Sequence, residues 1–430
     1  MEHGYIIIIL LLLGMMAATV PVFMSLFFSG VLGILFFSHY PIQLVVMSFF
    51  RSMDKFALVV VLFFILCGNI MTKGSIVDKL IKVANVVVGF LPGGLAMAGT
   101  IACGLFGAIS GSTVATVVAI GGFMIPALME NGYDEKFTLG VMTSAPVLGI
   151  IIPPSISMIL YSMVTNVSLE GLFLTGFVPG IMIIIGFSLY SYFHAKNKRY
   201  VTQPVPTFRE VVAVFKEGFW SLMLPGVIFG GIYSGAFTAN EAAVVASVYA
   251  FIVEIFIHKD MKFKEVKEVV VSSAVTSATL LIIVAGATTF GRYLTLQNIP
   301  GQLANAVTAH IHSPWVFLMA VNIMLLIVGM FMDIISATLL LTPVFIPMLY
   351  AFNIDLMHFG LLMTLNLGIG YITPPLGVSL YITGAMTNRD LIYVSKSVVP
   401  FILIQLVILA ILSYIPALVL YLPKVFGYVG

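Results

Sequence analysis

Tandem prolines occur twice inside apolar stretches long enough to cross a bilayer, and they limit what this chain can fold into. The copies read Gly149-Ile150-Ile151-Ile152-Pro153-Pro154-Ser155 and Gly370-Tyr371-Ile372-Thr373-Pro374-Pro375-Leu376. Proline has no N–H, and its ring clashes with the carbonyl four residues earlier, so a helix breaks there. Pro153 and Pro154 free the carbonyls of Gly149 and Ile150; Pro374 and Pro375 free those of Gly370 and Tyr371. At membrane depth, free carbonyls persist only when buried in protein, lining a wet cavity or coordinating an ion.

Composition places these stretches in a bilayer. Of 430 residues, 61% are apolar and 8% charged, whereas soluble domains carry about a quarter charged residues. A net charge of +2 leaves no nucleic-acid footprint. Cys67 and Cys103 lie in apolar segments without metal-type spacing and read as small buried hydrophobes. Met1-Glu2-His3 lacks the basic region of a signal peptide, and the apolar run that follows is too long for one.

Taken in order, Gly4–Phe37 would reach about 50 Å as one helix. Two short connected crossings breaking near Pro21 are expected instead, with one strongly tilted helix as the alternative. A loop with Arg51 and Lys55 precedes a crossing at about 56–72. Residues 92–131 form either two full crossings or one re-entrant hairpin, with the tip at Gly107-Ala108-Ile109-Ser110-Gly111-Ser112-Thr113, and 137–163 carry the first break. A crossing at about 172–193 leads into a basic linker, residues 196–218, with Lys196, Lys198, Arg199, Arg209 and Lys216. The second half repeats this plan: a double-length stretch over 220–257, a lysine-rich loop from Lys259 to Lys267, and a crossing at about 270–290. A second hairpin over 314–352, with its tip at Gly329 to Ser336, a second break within 359–384 and a last crossing at about 398–420 complete it.

The halves, 1–195 and 219–430, align at a constant offset of 221 positions. Ile125-Pro126 pairs with Ile346-Pro347, Met142-Thr143 with Met363-Thr364, both Pro-Pro motifs with each other, and Val178-Pro179 with Val399-Pro400. A gapless register through the break marks an internal repeat. Charge sets the orientation. With the linker cytoplasmic and each hairpin re-entrant, all of the 19 Lys and Arg except Arg51, Lys55, Lys424 and Arg292 fall inside. Each half then has about five crossings, an odd number. The expected fold is an all-α polytopic membrane protein of two inverted repeats, with both termini periplasmic in a bacterial inner membrane.

A hairpin tip ends one half-helix with carbonyls and starts another with N–H groups. Ser110, Gly111, Ser112 and Thr113 offer small size and hydroxyl oxygens beside the carbonyl-bearing run from Gly149 through Ile152 to Pro153. An uncharged all-oxygen set suits Na⁺ better than a transition metal; close packing of small residues is the alternative. In the second tip Asp333 is an intramembrane acid, a candidate site residue and also an N-cap for the following helix. Ser336 lies beside it, facing Gly370, Thr373 and Pro374 of the second break. Thr238 and Glu241 have capping-box spacing; Glu241 is also a candidate gating residue. Arg292 either snorkels to the interface or meets an anionic substrate, with Ser155 and Thr373 as further substrate contacts. The seven histidines, His3 and His39 among them, occupy loops and segment ends and offer no paired haem ligands. Walker, nucleophile-elbow and HExxH motifs are absent from the sequence, and no organic cofactor is expected.

These residues also carry a family resemblance. Cys67-Gly68-Asn69-Ile70-Met71, Leu91-Pro92-Gly93-Gly94, Gly107 to Ser112, Phe237 to Ala243, Gly329-Met330-Phe331-Met332-Asp333 and the Pro-Pro segments resemble the large membrane subunit of TRAP (tripartite ATP-independent periplasmic) transporters, DctM/SiaM type. Ala239-Asn240 departs from the usual Pro-Thr before the glutamate. The resemblance implies an elevator-type, Na⁺-coupled importer of small organic anions such as C4-dicarboxylates or sialic acid. It also implies a small four-helix membrane subunit, here expected as a separate polypeptide, and a periplasmic binding protein. Three rivals differ testably. A stand-alone Na⁺/anion symporter works without a binding protein, a channel ignores a counter-gradient, and a redox enzyme absorbs visible light.

Overall fold

The computed structural model describes residues 4–428 apart from 39, 199 and 201; Met1, Glu2, His3, His39 and Arg199 therefore lie outside the described residues. Among those described, every regular element is helical. Eight helices are long and apolar enough to cross a membrane, and ten if two bent pairs each count as one.

The first apolar run does divide at Pro21, into Gly4–Ala17 and Val22–Phe37, and the two helices pack on each other. The stretch around Arg51 and Lys55 departs from expectation. Gln43–Met53 is helical and bends by 49° into Ala57–Lys73. Nor is the basic linker unstructured. Phe177–Lys198 runs into it, and Phe208–Glu217 forms an amphipathic helix opened by a Thr207/Glu210 capping box. The crossing expected at 270–290 is the middle of a longer helix, Phe263–Leu296, so Lys264 and Lys267 ride on its first turns rather than in a loop. In each case polar residues marked the edge of a hydrophobic run, whereas backbone hydrogen bonding continued past it.

At about 1.5 Å per residue, Phe263–Leu296 spans about 51 Å and acts as the strut of a scaffold. It packs against Val22–Phe37, Gln43–Met53 and Ala57–Lys73. Missing side chains allow the closest of these contacts: a Cβ at Gly30 would lie 2.9 Å from the Phe290 nitrogen, and one at Gly286 2.7 Å from the Phe23 carbonyl oxygen. Ala57–Lys73 packs in turn on Ala239–Ile252. The most buried span is Glu135–Thr165, with 83% of its 18-residue apolar window buried, and it carries the first break. It forms the centre, with the hairpins and the second broken helix around it.

Ion pairs and hydrogen bonds gather the basic loops at one end. Lys73 meets Glu268 (3.9 Å), Lys79 meets Asp260 (3.9 Å) and Lys82 meets Glu217 (2.9 Å). Asn85 bonds Gln203, Tyr200 accepts from the Asp134 N–H, and Lys198 pairs with Asp134. Arg389 grips Glu135 through two nitrogens at 2.7 and 2.8 Å. These contacts tie together pairs of the segments that charge assigned to a common side.

Candidate functional site at the two helix breaks

The first hairpin consists of Gly94–Ser110 and an outgoing helix that starts at Thr113. Gly111 ends the incoming arm in the left-handed region, φ +60°, where a side chain would be strained. Ser112 caps the outgoing arm, accepting from the Ala115 N–H at 3.4 Å. After one turn that arm passes through a π-helical segment, Val117–Gly121, a distortion common near functional sites.

The first broken helix runs Glu135–Ser144, then a 3₁₀ turn, then Leu148–Ile151, and stops at Ile152 in extended conformation. Ser155 restarts the chain by capping Ile156–Thr165. Its hydroxyl accepts from the Met158 N–H and lies 3.0 Å from the Ser157 hydroxyl.

Tip and break are in contact. A Cβ on Gly149 would lie 2.8 Å from Thr116 Oγ1 and 2.9 Å from the Ser112 carbonyl oxygen. One on Gly107 would lie 2.5 Å from Gly149 Cα, and one on Gly111 2.7 Å from the Pro154 carbonyl oxygen. Small residues on both sides let oxygen-bearing backbone converge. Ser110 Oγ and Thr116 Oγ1 are 3.4 Å apart, and Thr116 donates to the Ser112 carbonyl. Thr113 Oγ1 is buried without a hydrogen-bond partner, which leaves its lone pairs free to meet a ligand or water. Pro153, Pro154 and Ser155 are all buried.

The second half-site follows the same plan. Pro314–Phe331 leads to Asp333, which caps Ile334–Ala351 by accepting from the Ser336 N–H at 2.9 Å. Asp333 and Ser112 are thus the caps of equivalent tips. Leu356–Gly370 ends at the second break, and the chain resumes as Val378–Thr387. Gly329 meets Gly370 as Gly107 meets Gly149: a Cβ on Gly370 would lie 2.4 Å from the Gly329 carbonyl carbon. Ser336 Oγ and Thr338 Oγ1 are buried and unpartnered, as is Ser379 Oγ just beyond the break. The Thr373 hydroxyl donates to the Ile369 carbonyl at 2.7 Å, leaving its lone pairs available. Unlike the first break, this one reaches the surface, because Pro374, Pro375 and Leu376 are exposed and Asp333 is half-buried.

The two half-sites touch through their broken helices. Thr143 donates to Thr383 at 3.0 Å, and Tyr161 OH to the Leu356 carbonyl at 2.8 Å. The donors available at the two tips are hydroxyls, carbonyls and one carboxylate. This hard-oxygen chemistry fits an alkali cation and lacks the imidazole or thiolate that a transition metal prefers.

Two candidate residues lie elsewhere. Glu241 is exposed and engaged in its capping box, accepting from Thr238 N and Thr238 Oγ1, both at 2.8 Å, on a helix packed against the scaffold. Arg292 sits near the end of the long strut, lining a separate cleft with Arg51 and Lys55. Thr116 was not foreseen, although its position one turn after the Ser112 cap is the available signal. Glu254 also went unnoticed. It is fully buried and accepts from the Ser75 and Ile76 N–H groups at 3.2 and 3.0 Å, capping the amphipathic helix Ile76–Val88 from another element. The Glu254/His258 pair, one turn apart in an apolar helix, was the clue.

An all-helical chain of eight to ten apolar spans, with a hairpin tip seated on each of two broken helices, has the architecture of a polytopic membrane transporter. The fold agrees with the crystal structure of the Alcanivorax borkumensis YdaH transporter, with a TM-score of 0.65 over 87% of this chain and 88% of that one at 14% identity. Residues 9–418 match the family model described as the DctM component of the tripartite ATP-independent periplasmic transporter. The Pseudomonas aeruginosa C4-dicarboxylate TRAP transporter large permease protein DctM is 40% identical, with 94% of each chain covered. The Vibrio cholerae sialic acid large permease SiaM is 32% identical over 97% of this chain and 98% of its own. The chain belongs to the DctM family of TRAP transporter large permeases.

Proposed function

We propose that this protein imports a small organic anion across the bacterial inner membrane, driven by Na⁺, through an elevator movement of the two hairpins and two broken helices. The observation that carries this is the paired seating of each tip on its break through glycine contacts, with buried, unpartnered hydroxyl oxygens at both. Ser110, Ser112, Thr113 and the carbonyls near Gly149 and Ile152 would hold one Na⁺; Asp333, Ser336, Thr373 and the end of the Gly370 helix would hold another. Ordering both tips creates helix N-termini that favour an anion between them. Differential Na⁺ affinity between states couples the ion to the movement.

The scaffold in this proposal is the strut with Val22–Phe37, Gln43–Met53, Ala57–Lys73 and Ala239–Ile252. The repeats are inverted, the hairpins re-enter from opposite sides, and the loop end gathered by ion pairs faces the cytoplasm, leaving both termini periplasmic. A four-helix membrane subunit and a periplasmic binding protein complete the assembly, in keeping with the family's tripartite description. Relatives named for C4-dicarboxylates, sialic acid and isethionate define the candidate substrates.

Uptake of radiolabelled succinate, N-acetylneuraminate and isethionate into proteoliposomes, with the small subunit and binding protein supplied, tests this. One substrate should accumulate only with an inward Na⁺ gradient. Equal uptake with choline in place of Na⁺ defeats the coupling, and equal uptake without the binding protein favours a stand-alone symporter.

A further inference from the structure

Three cations share one cleft without a counter-charge, two from one bend and the third from a distant part of the sequence. Arg51 comes from the last turn of Gln43–Met53, Lys55 from the bend that follows it, and Arg292 from the end of the strut. The cleft has a volume of about 440 Å³, and no aspartate or glutamate lines it. Among the described residues, none of the three joins an ion pair. Three of the four hydroxyls on its wall, Ser52, Thr288 and Thr295, donate to backbone carbonyls at 2.7–2.8 Å, which leaves Ser48. The free side-chain donors are therefore the three cations and the Ser48 hydroxyl. Clustered like charges raise the energy of an empty cleft and focus a positive potential into it, and guanidinium groups match a carboxylate in shape.

The walls belong to two different bodies. The scaffold supplies all three cations; the lining also includes Met163 and Val164 from the end of the first broken helix, and Leu339 and Pro343 from the second hairpin. Leu339 and Pro343 lie about 9–15 Å along the helix from Asp333 at about 1.5 Å per residue.

We propose that this cleft is a second anion site, a staging site where Arg51, Lys55 and Arg292 collect a small carboxylate beside the second hairpin before it reaches the site between the tips. The staging role rests on the import function proposed above; the anion selectivity of the cleft does not.

The test reads the cleft without transport. Thr295 is exposed on its wall, and the two native cysteines are fully buried. A T295C protein in nanodiscs, in choline medium, is labelled with an anionic and a cationic methanethiosulfonate. Relative to free glutathione, the anionic reagent should be favoured by ~10-fold, and succinate should slow labelling more than NaCl of equal ionic strength. Combining T295C with R51Q, K55Q and R292Q should slow the anionic reagent and accelerate the cationic one. Misfolding would instead accelerate both, and single neutralisations then supply the comparison. A glutathione-like ratio overturns the site. Protection by phosphatidylglycerol nanodiscs but not by succinate overturns the carboxylate assignment. Sodium-independent uptake would defeat the coupling while leaving these ratios unchanged.

Discussion

Ser112 and Asp333 hold equivalent positions, each capping the outgoing arm of a hairpin, yet one is neutral and the other charged. If each also contributes an oxygen to Na⁺, their loss should weaken the ion unequally. Ser112→Ala removes a hydroxyl worth about 1 kcal/mol, so the Na⁺ concentration for half-maximal uptake should rise about fivefold. Asp333→Asn keeps a capping side chain but removes the charge, and the rise should exceed tenfold. Unchanged Na⁺ dependence in both would remove these residues from the site. Glycine contacts give a sterner test. Gly370→Ala drives a methyl into the Gly329 backbone, where overpacking costs about 1–3 kcal/mol; uptake should be lost and thermal stability lowered. Gly14→Ala, with open space around it, should alter neither. The Ser-Gly-Ser tip, the Pro-Pro breaks and Asp333 were legible because their chemistry is unusual for an apolar run. The Gly107–Gly149 and Gly329–Gly370 contacts were not, since spacing along a chain does not reveal which glycines face each other.

Among the elements, the amphipathic helix Ile76–Val88 depends on a residue from another segment. Glu254, buried in Val253–His258, occupies the N-terminus of that helix and accepts two of its free N–H groups. Glu254→Ala would leave both unsatisfied, and about 2–3 kcal/mol of stability should go with them, measurable as a lower melting temperature in detergent. Glu254→Gln retains an acceptor and should lose less; an unaltered melting temperature in the alanine variant would show the cap to be dispensable. Hydropathy located the ends of such elements poorly. It placed Lys264 and Lys267 in a loop and the linker outside any helix, because charged residues ride on helices wherever those extend beyond the bilayer. It divided Gly4–Phe37 correctly because Pro21 imposes a backbone constraint that tertiary packing does not override.

For the whole molecule, elevator movement requires the scaffold to slide past the hairpins and broken helices. Val164 and Thr288 both line the cationic cleft, the first on the broken helix and the second on the strut. A V164C/T288C pair joined by a bifunctional thiol reagent should arrest uptake, with each single variant still active under the same treatment. Continued uptake by the joined protein would mean that these walls do not move apart. The constant register of the motifs is readable in the sequence and motivates the two-body proposal. Which helices form the strut was not, because the closest packing, through Gly30, Gly33 and Gly286, leaves no periodic signal.

The unequal exposure of the two Pro-Pro breaks bears on timing. Around the first, Pro153, Pro154 and Ser155 are enclosed, whereas Pro374, Pro375 and Leu376 meet the surface. An ion held beside the second break can exchange with bulk without large rearrangement. One beside the first must wait until the surrounding helices part. Washout of ²²Na⁺ from loaded protein should therefore be biphasic, and Asp333→Asn should abolish the fast phase while sparing the slow one. If both proposed Na⁺ sites are filled, the coupling ions would then leave in a fixed order, last in and first out.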